Sequence, residues 1–146
     1  MARELRTEIL IEATAERVWE VLTDFEEMPE WNPFITVISG ELEAGERIRV
    51  HLKPPEGKGM TFKPRLVKVE HGRELRWIGH LGIPGLFDGE HIFEIDELPH
   101  GITRLVQREE FKGVFSGLIL RSIGDDTLNG FAGMNKALKE RAEAAV

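Results

Sequence analysis

FSGLILRSIGDDTLNGFAGMNKALKERAEAAV, residues 115–146, contains no proline and ends in strong helix formers. Leu120, Thr127, Phe131, Met134 and Leu138 recur along it at three- and four-residue steps, with Gly124 on the same stripe, which is the spacing of one helix face. The stretch therefore reads as one long amphipathic helix. Its glycines at 117, 124, 130 and 133 each cost about 0.5–1 kcal/mol relative to alanine in a helix interior, so something compensates. Either the helix backbone packs closely on a sheet, or the missing side chains leave room for a ligand beside Phe131 and Met134.

Upstream, the chain is cut into short segments of alternating apolar and polar residues. In LRTEILIEA (5–13), Thr7, Ile9, Ile11 and Ala13 alternate with Arg6, Glu8, Leu10 and Glu12, which predicts a strand with one apolar face. Thr14 is placed to cap a short helix carrying Val18, Trp19, Leu22 and Phe25; Pro29 and Pro33 then punctuate a turn and a second short helix near Glu30. Six more strands are predicted, over 34–40, 45–53, 60–70, 74–82, 89–98 and 102–112, separated by Gly-, Pro- and charge-rich breaks. Breaks this short suit antiparallel hairpins, because a parallel neighbour needs a crossover of about a dozen residues or more. The expected class is α+β: a seven-stranded antiparallel meander, two short helices between its first and second strands, and the long C-terminal helix.

A chain of 146 residues is the size of one domain, burying about 68–70% of the surface its unfolded form exposes. With no repeat, linker or low-complexity run, 1–146 reads as a single domain. The net charge is −7 and the 19 basic residues form no long run, which disfavours nucleic acid and anionic membrane as partners. Cysteine is absent, so disulfides, thiolate nucleophiles and Cys-based metal sites are excluded. MARELRTEIL carries charges every few residues where a signal peptide needs an apolar block, and no stretch approaches ~20 apolar residues. The expectation is a cytoplasmic protein with no stable membrane insertion.

Strand, helix pair, meander and long terminal helix, in that order, resemble the helix-grip fold of the START and pollen-allergen-like superfamily, often called SRPBCC. The resemblance spans nearly the whole chain. It is most specific in AERVWEVLTDFEEMPEWNPF (15–34), RELRWIGHLGIPGLFDGEHIFEI (73–95), TRLVQREEFKG (103–113) and GFAGMNKALKERAE (130–143), which together look like the polyketide cyclase/dehydrase-like branch. The resemblance implies a curved antiparallel sheet gripping the C-terminal helix, with a mostly apolar cavity between them that opens under loops. It also gives a role to LGIPGLFDGEH (81–91), whose Leu81, Ile83, Pro84, Leu86 and Phe87 follow neither a helical nor a strand period. As part of a cavity rim, Leu86 and Phe87 would be covered by a ligand or by the helix.

Alternation along strands assigns the inner wall. Leu75, Trp77, Gly79 and Leu81 share one face, opposite Arg76, Ile78 and His80; His91, Phe93 and Ile95 oppose Glu90, Glu94 and Asp96; and Thr103, Leu105, Gln107, Glu109 and Phe111 share a face. Three polar groups, His91, Gln107 and Glu109, are thereby expected on an apolar wall. A three-residue PHG turn with Gly101 left-handed sets His91 opposite Glu109 and Phe93 opposite Gln107, whereas a two-residue slip pairs His91 with Gln107. A buried carboxylate needs a mate, and histidine is the natural one. The group is either a satisfied structural pair or the few orienting contacts of a small-molecule pocket. Gly79, expected across from His91, is a sheet kink or cavity floor. Trp31 is either a cap on the pocket entrance or ordinary core. Candidate ligand contacts are Trp31, Trp77, Leu86, Phe87, His91, Phe93, Gln107, Glu109, Phe131 and Met134.

Explicit catalytic motifs are missing: there is no HExxH, GxSxG, P-loop or GxGxxG after a strand, so no cofactor is expected. His80 and His91 face opposite ways by parity, which argues against a shared metal, and adjacent Glu109 and Glu110 diverge. Asp125 and Asp126 are expected on the exposed side of the long helix. Binding of a small hydrophobic molecule, such as a lipid, polyketide or aromatic metabolite, is the preferred reading. The alternatives are a cyclase/aromatase- or dehydratase-like enzyme using His91 and Glu109 as an acid–base couple, and a protein interaction module of the cochaperone type.

Overall fold

The computed structural model describes residues 3–144; the last two residues of the stretch read as helix, 145 and 146, lie outside the described residues. Strand β1 (Arg3–Ile11) leads into α1 (Ala15–Thr23), which starts where Thr14 accepts a hydrogen bond from the Arg17 backbone N–H at 3.2 Å. This helix buries Val18, Trp19, Val21 and Leu22. A single 3₁₀ turn at Phe25–Glu27 precedes the short α2 (Met28–Trp31). The buried Asn32 then turns the chain into β2 (Ile35–Ser39), its Oδ1 accepting from the backbone N–H groups of Phe34 and Ile35, both at 2.9 Å.

Next come β3 (Arg49–Leu52), β4 (Met60–Phe62), β5 (Arg65–Glu70), β6 (Glu74–His80), β7 (Asp88–Leu98) and β8 (Ile102–Lys112). Among the described residues the strands number eight rather than seven because the expected 60–70 segment breaks at Pro64. Proline has no N–H to place in a ladder, and the chain passes there from one sheet to another. A three-stranded sheet has the order β2-β3-β4, and a five-stranded sheet the order β1-β8-β7-β6-β5, so β1 closes onto the last strand instead of continuing a meander into β2. The sheets meet where the Ile48 N–H donates to Pro64 O and the Leu66 N–H to Glu46 O, each at 2.9 Å, beside an Arg47–Arg65 bridge. Register shifts in the β2–β3 and β5–β6 pairings add curvature.

Helix α3 (Ser116–Glu143) lies against β1 and β8, as a helix-grip fold requires. Its second half buries Gly130, Phe131, Met134, Asn135, Leu138 and Ala142, whereas between Ser116 and Thr127 only Ser116 and Gly124 are buried. Leu120, expected on the buried stripe, is only partly covered. Among the glycines, Gly130 marks the closest approach: a Cβ there would stand 2.5 Å from two ring atoms of Phe34, while at Gly133 or Gly124 it would meet only ordinary contacts of 3.8 and 3.9 Å. Close packing on a core ring thus explains Gly130; at Gly117 a Cβ would stand 2.8 Å from Arg3 Nη2, the movable end of a side chain, so two of the four glycines are tight.

The outer face of the five-stranded sheet carries a network of ion pairs. Arg108 reaches Glu94 and Glu4 at 2.9 Å and Glu110 at 2.5 Å, and these hydrogen bonds, Glu94's first, hold its guanidinium above the ordinary arginine range despite partial burial. Arg76 reaches Glu74 and Glu90 in the same way. Ile92 points to this outer face yet is fully buried, since its cross-strand neighbours are Arg76 and Arg108, whose stems span it to reach those carboxylates.

Candidate functional site

The partial coverage of α3's first turns leaves a cavity of about 170 Å³ between them and the sheets. The five-stranded sheet contributes Trp77, Gly79, His91, Glu109 and Phe111 to its walls; Phe34, Leu52 and Met60 face them, and Ile119, Ile123 and Thr127 of α3 form the roof. The polar groups among these are few: His91, Glu109, Thr127, and at the margin His80 and the exposed Lys58.

Backbone register places His91 opposite Glu109 and Phe93 opposite Gln107, with both His100 and Gly101 left-handed in the connecting turn. Trp77, not Gly79, stands across from His91; Gly79 pairs with Gly89, so two glycines stand together beside the histidine. The His91 ring is clamped by Trp77, stacked at 5.1 Å, by Phe93 at 4.8 Å, and edge-on by Phe131 at 5.1 Å. Its Nε2 lies 3.0 Å from Gln107 Oε1, a diagonal contact across the strands, and its Nδ1 lies 3.6 Å from Glu109 Oε1. The observed register is the one a three-residue turn sets; the two-residue slip does not occur, and the His91–Gln107 contact is made diagonally by the side chains.

Of the ten candidate contacts, Trp77, Phe87, His91 and Glu109 stand together on the cavity wall. Phe93, Gln107, Phe131 and Met134 are fully buried behind it, where they hold the histidine and the helix. Leu86 and Trp31 are half-buried; Trp31 packs against the core, with its indole Nε1 buried and unpartnered. Reasoning from strands missed Asn135 and Thr7, which complete the polar group. Asn135 accepts from Gln107 Nε2 at 2.7 Å and donates to Thr7 Oγ1 at 2.9 Å. Asn135 carries a visible signal, a polar residue directly after Met134 on the apolar stripe, and Thr7 lies on the inward face of β1 opposite Gln107. Gly89 was also missed: a Cβ there would lie 2.5 Å from Glu109 Oε2, so its absence makes room for the carboxylate.

The apolar loop between β6 and β7 borders the opening. Phe87 stacks on Phe111 at 5.3 Å, while Leu81 and Ile83 are 41% and 65% exposed. The loop is stitched to the start of α3 by Val114 N–H to Gly85 O (3.1 Å) and Phe115 N–H to Leu86 O (3.0 Å). Gly113 has to be glycine, with φ +116° and a would-be Cβ 2.5 Å from Leu86 O. Within the loop, Asp88 accepts from the Gly85 N–H at 3.1 Å and sits 2.7 Å from His80 Nδ1, which holds its carboxyl below the ordinary aspartate range against slight desolvation. On the other side, Asp126 is not merely a solvated helix residue: its Oδ1 accepts from the Glu56 N–H at 2.9 Å, tying the β3–β4 loop to α3.

Residues 2–144 match the family model described as polyketide cyclase / dehydrase and lipid transport. The chain belongs to that family. Among solved structures it is similar to the ZhuI aromatase/cyclase from Streptomyces sp. R1128, at 18% identity and a TM-score of 0.78, covering 98% of this chain and 94% of that one. A START superfamily protein from Mycobacterium smegmatis gives 22% identity and a TM-score of 0.71, with 96% and 97% covered. Norcoclaurine synthase of Thalictrum flavum gives 14% and 0.73, with 97% and 94% covered. At these identities the likeness is one of fold. No curated protein matches the sequence. No helix among the described residues is long and apolar enough to cross a membrane.

Proposed function

We propose that this family member is a binding protein for a compact hydrophobic molecule held between the sheets and the first half of α3. The carrying observation is the cavity of about 170 Å³, walled mainly by aromatic and aliphatic groups with a few polar ones at one place. Its size narrows the ligand. Pockets for drug-sized molecules run about 300–1,000 Å³, whereas an apolar cavity of roughly 150 Å³ holds a benzene ring. One or two rings fit; a long acyl chain requires the mouth to open. Native mass spectrometry of protein from its own host, followed by organic extraction, tests this. A defined ring-sized adduct is expected, and a clean apo mass together with no uptake of a small aromatic probe overturns it.

A second reading, a cyclase- or dehydratase-like enzyme, has one observation in its favour: His91 and Glu109 meet on the cavity wall at 3.6 Å, within reach of one ligand. Under it, His91→Ala and Glu109→Gln each lower turnover by on the order of 10²–10⁴ while ligand affinity persists. Retained turnover in both excludes the couple.

A further inference from the structure

The polar group behind the cavity is anchored at both ends by backbone carbonyls, and this fixes the direction of every hydrogen bond in it. Thr7 Oγ1 donates to the Gln107 carbonyl at 2.8 Å, so its lone pair receives Asn135 Nδ2. Asn135 therefore turns its Oδ1 to Gln107, whose Nε2 donates to it at 2.7 Å and also faces the Phe131 carbonyl at 3.4 Å. Both acceptors oblige the Gln107 amide to point its nitrogen at α3 and its Oε1 at His91. A carbonyl oxygen only accepts, so His91 Nε2 at 3.0 Å must carry a proton. In the neutral imidazole the other nitrogen, Nδ1, is then a bare lone pair. It lies on the side of Glu109, which lines the cavity, 3.6 Å from its Oε1 and too far for a hydrogen bond.

We propose that the Thr7–Asn135–Gln107 relay locks neutral His91 in the Nε2–H tautomer, so that Nδ1 is presented to the cavity as the acceptor for the hydroxyl of a neutral, ring-sized ligand such as a phenol, enol or alcohol. This rests on the cavity being a ligand site. Nδ1 and Glu109 are two acceptors side by side, and a ligand O–H supplies the proton that neither has. A carboxylate ligand brings a second negative charge beside Glu109 and no donor. Other charged groups near the wall do not alter this: His80 is paired with Asp88, and Lys58 is exposed at the margin. Asn135 and Thr7 act through Gln107 and His91, as positioning residues.

The test combines two readouts on the whole chain. Long-range ¹H–¹⁵N spectra of histidine-labelled protein at about pH 8.5, above the ordinary histidine range, report which ring nitrogen holds the proton. His91 is expected with Nε2 protonated and Nδ1 bare; the reverse pattern, or a mixture, overturns the proposal. Titration with 4-ethylphenol, ethylbenzene and 4-methylbenzoate then reads the preference. The phenol is expected to bind roughly tenfold or more tightly than either other probe, the worth of one hydrogen bond in a desolvated site. Ethylbenzene binding as tightly as the phenol refutes the acceptor role while leaving the cavity reading intact; no binding by any probe removes the cavity reading itself. In Gln107→Met the tautomers are expected to mix and the preference for phenol to fall in proportion to the share of His91 no longer in the Nε2–H form, about twofold for an equal mixture, with ethylbenzene affinity kept. Thr7→Val is expected to weaken the preference and Thr7→Ser to restore it. An unchanged histidine spectrum in both Gln107→Met and Thr7→Val overturns the relay.

Discussion

Gly130 and Gly133 lie one helical turn apart on α3, and replacing each by alanine separates helix propensity from packing. Both changes gain the same backbone term, about 0.8–1.0 kcal/mol in a helix interior. At Gly133 the new methyl meets only Pro33 Cγ at 3.8 Å, so that gain is expected to appear nearly undiminished. At Gly130 the methyl stands 2.5 Å from Cδ1 and Cε1 of Phe34, about 0.9 Å inside ordinary contact, and Phe34 is 2% exposed and packed edge-on against Phe131. Its ring can move only by shifting the helix or by turning into the cavity it lines. Overpacking of this kind costs about 1–3 kcal/mol. The difference between the variants isolates that cost, and at about 2–4 °C per kcal/mol for a chain of this size it corresponds to roughly 2–12 °C in Tm. Thermal unfolding followed by circular dichroism measures it, and uptake of a small aromatic probe should fall in Gly130→Ala alone. If Gly130→Ala proves as stable as Gly133→Ala, the close approach to Phe34 is refuted and the space beside Phe131 is free for a ligand.

Gly89→Ala is expected to leave Tm within a few degrees, because the atom it displaces is the free end of the Glu109 side chain, but to turn that carboxylate away from His91; a crystal structure with Glu109 unmoved refutes this. Asp88 has a depressed carboxyl in the folded state, so its stabilisation of the rim loop is present above the ordinary aspartate pKa and is lost as pH falls through the lower folded value. Amide exchange protection at Gly85 is expected to follow that course, and protection that persists at the lowest pH, or in Asp88→Ala, counts against the contact. Asp126→Ala is expected to release the β3–β4 loop, seen as faster exchange of the Glu56 amide and earlier proteolysis at 54–59; unchanged exchange shows that the contact does not hold the loop.

The wall of the site was legible because strands alternate and hairpin turns fix register. The PHG turn, read as a three-residue loop, set His91 against Glu109 with a two-residue slip as the alternative, and the observed register is the first; Thr14 announced the start of α1. Pro64 was harder, since the apolar–polar alternation of 60–70 runs straight through it, and only the change of partner from β3 to β6 shows that two strands are present. Helix α3 was readable as a helix but not as two unequal halves: Leu120 and Thr127 sit on the expected stripe, yet how far that stripe stands from the sheet depends on Phe34 and Gly130, which are 96 residues apart. The same distance in sequence hid Asn135 and Thr7, whose pairing across 128 residues has no local pattern. Candidate residues such as Phe93 and Phe131 were placed on the right face, but that face is core behind the histidine and cavity only beyond it.

The helix that packs on β1 and β8 is also made after every strand of the sheet. At synthesis rates of about 5–20 residues per second, the 28 residues of α3 take a few seconds to emerge. Throughout that interval the inner face of β1 and β8, against which the helix packs in the finished protein, lacks that cover. The nascent sheet is therefore a sticky intermediate whose rescue comes from the helix made after it. A chain ending before Ser116 should be captured by chaperones or aggregate, and a peptide of residues 116–143 added in trans should return it to solution.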